Sequence, residues 1–467
     1  MPILIALILF FLLNKPILAS EDRNIFGLHL TQTEDIHQAR DVINSSGGDW
    51  GWATIVIRSD ELNRGTWQNF FDNCRKYHII PIIRIATKME NGNWTRPTFD
   101  DIDNHANFLN SLNWPTATQH VILFNEINHG AEWGGKVDIK DYAEKVIYAS
   151  QKFKSLNPSF YILSAGLDLA PPEKPPSFKS APNVYREIFL YKPEFFDYID
   201  AIASHSYPNH GYIGTPNDHG QYSIRGFQWE LSFLKSLGVK KDLPVFITET
   251  GWPHREGIAK NNRYYTADTA ANFLLTAFDI WHQESQVVAV TPFIFNYPNP
   301  PFANFSWLDT EKKLYPAYEK IISKGKSKNK PPQITTYEMV DIKIPFLIFT
   351  DTDYSGEIIL KNTGQSIWGE HNFCLTPQAS ANVSLDAVCT PNNFIFPNQT
   401  IKLHFKFKIS PDTDKVNTYI GWDGVDSLPI KAITNKPAIY RPATKIQEKI
   451  VNYIKNQLIG PIFQQNW

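Results

Sequence analysis

Eight short apolar runs, recurring through the first two thirds of the chain, constrain its fold more than any other feature. They are Ile25–Leu30, Thr54–Arg58, Ile79–Ile85, His120–Asn125, Phe160–Ala165, Ile199–Ser204, Pro244–Thr248 and Val287–Phe295. Most are continuous, as in ATIVIR, IIPIIRI and HVILFNE, rather than alternating. Continuous apolarity belongs to strands buried on both faces, and hence to a parallel sheet covered by helices. Helix-like stretches such as Lys140–Leu156 and Ser223–Leu237 fall between the runs. Spacings of roughly 25 to 45 residues suit a strand–helix repeat. Eight such units predict an α/β fold, a (β/α)8 TIM barrel over residues 24–323. An open doubly wound sheet is the rival. No Gly-rich phosphate loop follows the first run, where Gly27 stands alone in IFGLHLTQ, and this weighs against it.

The texture changes after the last run. Lys324–Gln333 (KGKSKNKPPQ) is basic with Gly and Pro, and reads as a linker over 324–336. Residues 337–435 are rich in Thr, Val, Ile, Phe and Asn, with period-two stretches such as TIKLHFKFKIS, which predicts an all-β sandwich. Its Asn362-Thr363-Gly364 followed by Trp368 resembles a strand of Ig-like accessory domains. In the tail, 436–467, Ile446, Ile450, Val451, Ile454 and Leu458 recur at helical spacing and predict an amphipathic helix over 443–458. That helix docks on one of the domains or lies on a membrane surface. The second reading would give the C-terminal region a cell-surface or membrane-surface association.

The N-terminus bears on the compartment. Ile3–Leu13 is an unbroken apolar run followed by Lys15-Pro16 and Ala19-Ser20. About 11 residues are too few for a membrane-spanning helix, which needs roughly 20. They fit a signal peptide over 1–20, or an uncleaved anchor, and make the protein secreted or cell-surface. Export permits a Cys374–Cys389 disulfide, with two reduced thiols in the sandwich core as the other reading. Five Asn-x-Ser/Thr triplets, at Asn44, Asn93, Asn304, Asn382 and Asn398, would carry glycans only in a eukaryotic secretory pathway. With 45 Lys+Arg against 47 Asp+Glu, the chain lacks the positive field that nucleic acid calls for. No Cys or His spacing suggests a metal site, and no cofactor is expected. Aromatic residues make up 14% of the chain, which raises the expectation that some rings face a flat ligand such as a sugar.

In a barrel of this kind the reactive groups sit at the carboxyl ends of the strands. The fourth run ends in Asn125-Glu126 and the seventh in Glu249-Thr250-Gly251-Trp252-Pro253. The sixth leads into His205-x-Tyr207, the second ends in Arg58, and the third carries Arg84. A carboxylate at the end of an apolar strand is costly unless it has a partner or a use. Two of them across a barrel mouth are what glycoside hydrolysis with retention requires. One carboxyl, protonated, releases the leaving oxygen, while the other, ionised, attacks the anomeric carbon.

The order, strand context and 123-residue separation of Asn125-Glu126 and Glu249 resemble the clan A glycoside hydrolases, the 4/7 retaining superfamily. The resemblance covers about residues 24–322. It implies an oligo- or polysaccharide substrate, with Glu126 as general acid/base, Glu249 as nucleophile and Asn125 as the partner of the sugar 2-hydroxyl. It further implies that Tyr207 orients the nucleophile, that His205 lies near the acid/base, and that Arg58 helps keep the nucleophile ionised. The strand-three His of related enzymes is not evident, and Arg84 stands nearest to its place. The strand-eight Trp is also missing from TPFIFNYP, which leaves Phe295, Asn296 or Tyr297 to floor the sugar site. Trp133 and Trp252, and more weakly Trp307, are candidate sugar platforms, with core packing as the competing reading. The alternative to an enzyme is a catalytically inactive carbohydrate-binding or cell-surface scaffold protein on the same fold. Intact Glu126, Asn125 and Glu249 weigh against it.

Overall fold

The computed structural model describes residues 23–432, apart from 257–259, 371–373, 391–392, 411–416 and 423–427. The signal peptide and the C-terminal amphipathic helix expected from the sequence lie outside the described residues. Among the described residues no helix is long and apolar enough to cross a membrane. The chain divides into two compact units after Pro332.

The first unit is mixed α/β with parallel strands. These are β1 (Gly27–His29), β2 (Gly51–Arg58), β3 (Ile79–Ala86), β4 (Gln119–Leu123), β5 (Phe160–Leu163), β6 (Ile202–His205), β7 (Val245–Glu249) and β8 (Val287–Val290). Five pair in the order β1-β2-β3-β4-β5 and three in the order β8-β7-β6. Parallel bridges Phe26↔Val290 and Leu163↔Ala201 join the edges of the two sheets, so neighbours run from β1 to β8 and return to β1. Alternate residues of one strand enter different cores. Ile79, Ile83 and Ile85 pack with Phe70, Phe71 and Cys74 of the helix Arg64–Lys76. Ile80 and Ile82 pack with Trp52, Ile122, Leu163 and Phe246. Both faces are buried, which is why the runs are continuous. Each fully buried Ile or Phe contributes about 1.5–3 kcal/mol.

Local signals start and stop the helices that link these strands. The Asp138 side chain accepts from Asp141 N–H and opens Ile139–Leu156. Thr98 and Asp101 form a reciprocal capping box at the start of Phe99–Asn110. Gly226–Leu237 ends at Gly238, whose φ of 106° suits glycine alone. The first part of the expected linker is packed on this unit. The Asn329 amide donates to the carbonyls of Asn24 at 2.6 Å and Trp50 at 2.9 Å. Two of the Asn-x-Ser/Thr asparagines are committed inside the fold. The Asn44 amide donates to the Tyr77 and His78 carbonyls, and that of Asn304 to the His254 carbonyl.

The second unit is antiparallel. One sheet orders Tyr337–Lys343, Asp353–Asn362, Thr400–Ile409 and Val383–Leu385, and another orders Pro377–Ala379, Asn417–Trp422 and Leu428–Lys431. Ile358, Leu360, Phe405 and Phe407 of the first share a core with Ile420 and Trp422 of the second. Asn362 explains the Asn-Thr-Gly signal. It is fully buried, its amide donates to the Ser366 and Ile395 carbonyls, and its Oδ1 accepts from Gly364 N–H. Cys374 and Cys389 face each other on paired strands and form a disulfide.

Candidate active site

Parallel strands bring their carboxyl ends to one side, and several of those ends carry polar groups into one cluster. Arg84 lies near the end of β3, Asn125 and Glu126 just beyond β4, His205 at the end of β6 and Glu249 at the end of β7. The chain turns sharply after β4. Phe124 has φ 73° and Glu126 φ 27°, a region that side-chain-bearing residues rarely enter and that costs about 1–3 kcal/mol each. Glu126 N–H donates to Gly166 O at 2.9 Å and His129 N–H to Glu126 O at 2.7 Å, which holds the turn.

Glu249 is nearly buried and fully partnered. Arg84 Nη1 donates to its Oε1 at 2.5 Å, and Tyr207 OH to its Oε2 at 3.1 Å. Burial alone would push this carboxyl up, but the charges of His205 and Arg84 outweigh it and hold Glu249 below the usual carboxylate range. Tyr207 is driven well above its ordinary value by burial and by the Glu249 charge, so it remains a donor. His29 Nδ1 lies 4.0 Å from Glu249 Oε1 and 3.2 Å from the Thr248 carbonyl, which can only accept. Burial and the Arg84 charge push His29 down to about 4, so it is neutral at pH 7.

Glu126 is half-buried, and its Oε1 lies 2.8 Å from His205 Nδ1. The same Nδ1 is 3.7 Å from Glu249 Oε2, so one imidazole stands between the two carboxyls. Burial would lower His205, but Glu249 and Glu126 outweigh it and raise it above the ordinary imidazole value. Gly166 makes room for the ring, since a Cβ there would sit 2.3 Å from His205 Nε2. Carboxylate oxygens of Glu126 and Glu249 and a ring nitrogen of His205 all lie within 4.8 Å of one another. Three such donors could in principle share a cation. Here they are engaged with one another, and Arg84 already supplies positive charge to Glu249.

The structure brings Glu126, Glu249, Asn125, His205 and Tyr207 together and places the other expected residues as follows. Arg58 points elsewhere. It is paired with Asp60 and Glu61 on a partly exposed edge, and Arg84 takes the place beside Glu249. Trp133 is fully buried, its Nε1 bonded to Asp141 at 2.9 Å and its ring against Phe124 and Tyr142. Trp252 is also buried, with Nε1 bonded to the Gly214 carbonyl and its ring on Phe273. Trp307 stacks on Tyr318 in the core. None of these three indoles has a face free for a sugar. Phe295 is in the core and Asn296 donates to Asp35. Tyr297 is half-buried and packs on Phe302.

Several residues of the cluster escaped the sequence reading. Phe293, rather than a later residue of that segment, packs edge-on against His29 and is half-buried. Tyr212 packs against Tyr207 and Phe305. Trp94, on a short hairpin after β3, lines a small cavity with Arg84, Asn125 and Glu132. For His29 one signal was available, because it is the polar interruption of the otherwise apolar run Ile25–Leu30.

No protein-family model matches the chain, and no curated protein matches it. Solved structures that overlay on it include a family 39 glycoside hydrolase from the gut symbiont Bacteroides cellulosilyticus WH2, with TM-score 0.44 and 14% identity over 84% of this chain and 81% of that one. A monomeric β-xylosidase from Caulobacter crescentus CB15 overlays with TM-score 0.47 and 11% identity, over 84% and 98%. An α-L-arabinofuranosidase from Thermotoga maritima does so with TM-score 0.43 and 13% identity, over 83% and 96%. At TM-scores below 0.5 these likenesses assign neither a fold nor a function to this chain.

Proposed function

We propose that the protein is a retaining glycoside hydrolase of the clan A type on a (β/α)8 barrel, with Glu249 as nucleophile and Glu126 as general acid/base. One observation carries the reading. A buried, ionised carboxylate faces a second, more exposed carboxyl with oxygens within 4.8 Å. Retention uses carboxyls about 5–5.5 Å apart, whereas inversion needs about 6.5–9.5 Å to admit a water between them.

In the first step Glu249 attacks the anomeric carbon and forms a glycosyl ester. The bond to the leaving oxygen breaks, and Glu126 gives that oxygen its proton. His205, hydrogen-bonded to Glu126 Oε1, orients that carboxyl. Ester formation removes the Glu249 charge, which is the strongest influence raising His205. Glu126 is then free to take a proton from water, the hydroxide adds to the anomeric carbon, and Glu249 leaves as a carboxylate. The substrate is an oligo- or polysaccharide met outside the cell or at its surface, in keeping with the apolar run Ile3–Leu13. The second unit is an Ig-like accessory domain in this reading.

The test is a panel of aryl β-glycosides and polysaccharides, hydrolysed by wild type and by Glu249→Ala, with the first-formed anomer read by NMR. Retained configuration and a loss of about 10⁴-fold or more in the variant are expected. Equal hydrolysis by both proteins would remove Glu249 from the mechanism. A wild type that binds sugars and cleaves none would favour the inactive scaffold.

A further inference from the structure

His205 stands at the end of β6, where the register with β7 slips. Ser204 faces Ile247 and His205 faces Glu249, so Thr248 is skipped in the pairing. A bulge of this kind re-aims the side chain that follows it. Here it sets the His205 ring beside Glu249. The backbone just beyond is fastened as well, since Thr250 Oγ1 donates to Ser206 O at 2.6 Å.

The other side of this strand end is tied to a buried carboxyl. Ser204 and Ser206 flank His205 and turn the opposite way, toward the helix Gly226–Leu237, as alternation along a strand requires. Ser204 Oγ donates to Glu230 Oε2 on that helix. Tyr185 OH, from the helix Ala181–Tyr191, donates to Glu230 Oε1 at 2.5 Å. A hydroxyl has one hydrogen, and Ser204 gives its own to Glu230. At the 2.8 Å contact between the serines Ser206 is therefore the donor. Ser206 Oγ accepts in turn from Phe227 N–H at 2.9 Å. The bonds run in one direction and end on Glu230. Glu230, Ser204 and Ser206 are all fully buried, a costly place for a carboxyl without partners. Burial pushes Glu230 up to about 7, and the Ser204 and Tyr185 hydroxyls oppose that rise. Neither chemical step uses this carboxyl.

We propose that Glu230 is a positioning residue: through Ser204 and Ser206 it holds the bulged end of β6 from behind and keeps the His205 imidazole between Glu126 and Glu249. This deepens the glycosidase reading, and its kinetic part rests on that reading.

The test uses the full chain with Glu230→Gln and Ser206→Ala. The first keeps the size of the side chain but leaves one acceptor oxygen for two hydroxyl donors. The second removes the link, keeps every charged residue, and serves where the Gln variant does not fold. Each should lower kcat about tenfold on the 4-nitrophenyl β-glycoside that wild type cleaves fastest, with KM within about twofold. In a His205→Ala background Ser206→Ala should cost less than about twofold, because residues that act through one another do not add. A second readout needs no turnover. NMR titration of the His205 ring, assigned by its loss in His205→Ala, should give a lower pKa in Ser206→Ala, because the ring leaves the two carboxyls that raise it. An unshifted His205 titration, or a kcat loss of the same size without His205, would overturn the inference. A wild type that cleaves no glycoside would overturn the proposed function alone, and the titration would still decide whether Glu230 positions the ring.

Discussion

Arg84, in the third parallel strand, donates to Glu249, at the end of the seventh, across 2.5 Å, although 165 residues separate them. The guanidinium holds the carboxylate ionised and reaches Asn125 with the same nitrogen. Replacing it should therefore disturb both groups. Arg84→Met is expected to lower kcat about 10²- to 10³-fold, the scale of losing one preorganised charge partner. The acid limb of the kcat/KM profile should move to higher pH, because an influence lowering Glu249 has gone. Arg58→Ala, at the surface pair with Asp60, should stay within about twofold of wild type. Reversed outcomes would restore Arg58 to the role expected from the sequence.

The His205 imidazole reports on both carboxyls. Glu249→Gln should lower its pKa, as followed by NMR titration of the ring protons, since Glu249 is the strongest influence raising it. The sign carries over to stability. Glu249, held low, contributes stability present above the ordinary carboxylate value and lost as pH falls through its folded value. His205, held high, contributes stability present below the ordinary imidazole value and lost as pH rises through its folded value. Denaturation curves of wild type should decline on both sides, and Glu249→Gln should flatten both limbs. Unchanged limbs would mean that the pair is not coupled.

Gly166 tests packing at the site. A Cβ would sit 2.3 Å from the His205 ring, too close for either atom to stay. Gly166→Ala should displace His205 from Glu126 and cut activity at least about tenfold, with a smaller effect on the melting temperature. Full activity would mean that the His205 contact with Glu126 is dispensable.

The buried indoles should behave as core. Trp133→Ala and Trp252→Ala are each expected to cost about 3–5 kcal/mol in denaturant unfolding. Their unfolding midpoints should fall well below that of wild type. A variant of normal stability that had lost only substrate affinity would return that indole to the cleft.

The disulfide closes a loop between Cys374 and Cys389, 15 residues apart. Cys374→Ser with Cys389→Ser should destabilise the second unit by about 3 kcal/mol, mainly through a freer unfolded chain. Glycoside cleavage by the first unit is expected to continue unchanged below the melting transition.

The parallel strands were legible because burial on both faces writes itself as a continuous apolar run. IIPIIRI became β3 within one residue of its expected end. The eighth run was read too long, since Val287–Phe295 pairs as a strand only to Val290. Beyond it the chain turns to bond with the β1 and β7 ends, as where Phe293 N–H meets the Thr250 carbonyl. Apolar character persists through that turn, so periodicity could not mark where pairing stops.

The site was legible in part for a related reason. Asn125-Glu126, His205-x-Tyr207 and Glu249 follow strands closely, and a strand end fixes where the next side chain stands. Arg58 and Arg84 both lie near strand ends, and only the closing geometry selects between them. The Trp residues divide in the same way. Ring content is a property of the sequence, but whether an indole faces a cleft or the core depends on what packs against it. Trp133 packs against Phe124 and Tyr142 and Trp252 against Phe273, and both indoles are buried. The sequence by itself determined the strand repeat and the two carboxyls, since local patterning encodes burial and strand ends. Which arginine pairs with Glu249, which indoles the core encloses and what bonds to Asn125 were decided by tertiary structure, because each depends on distances between segments that the chain order does not specify.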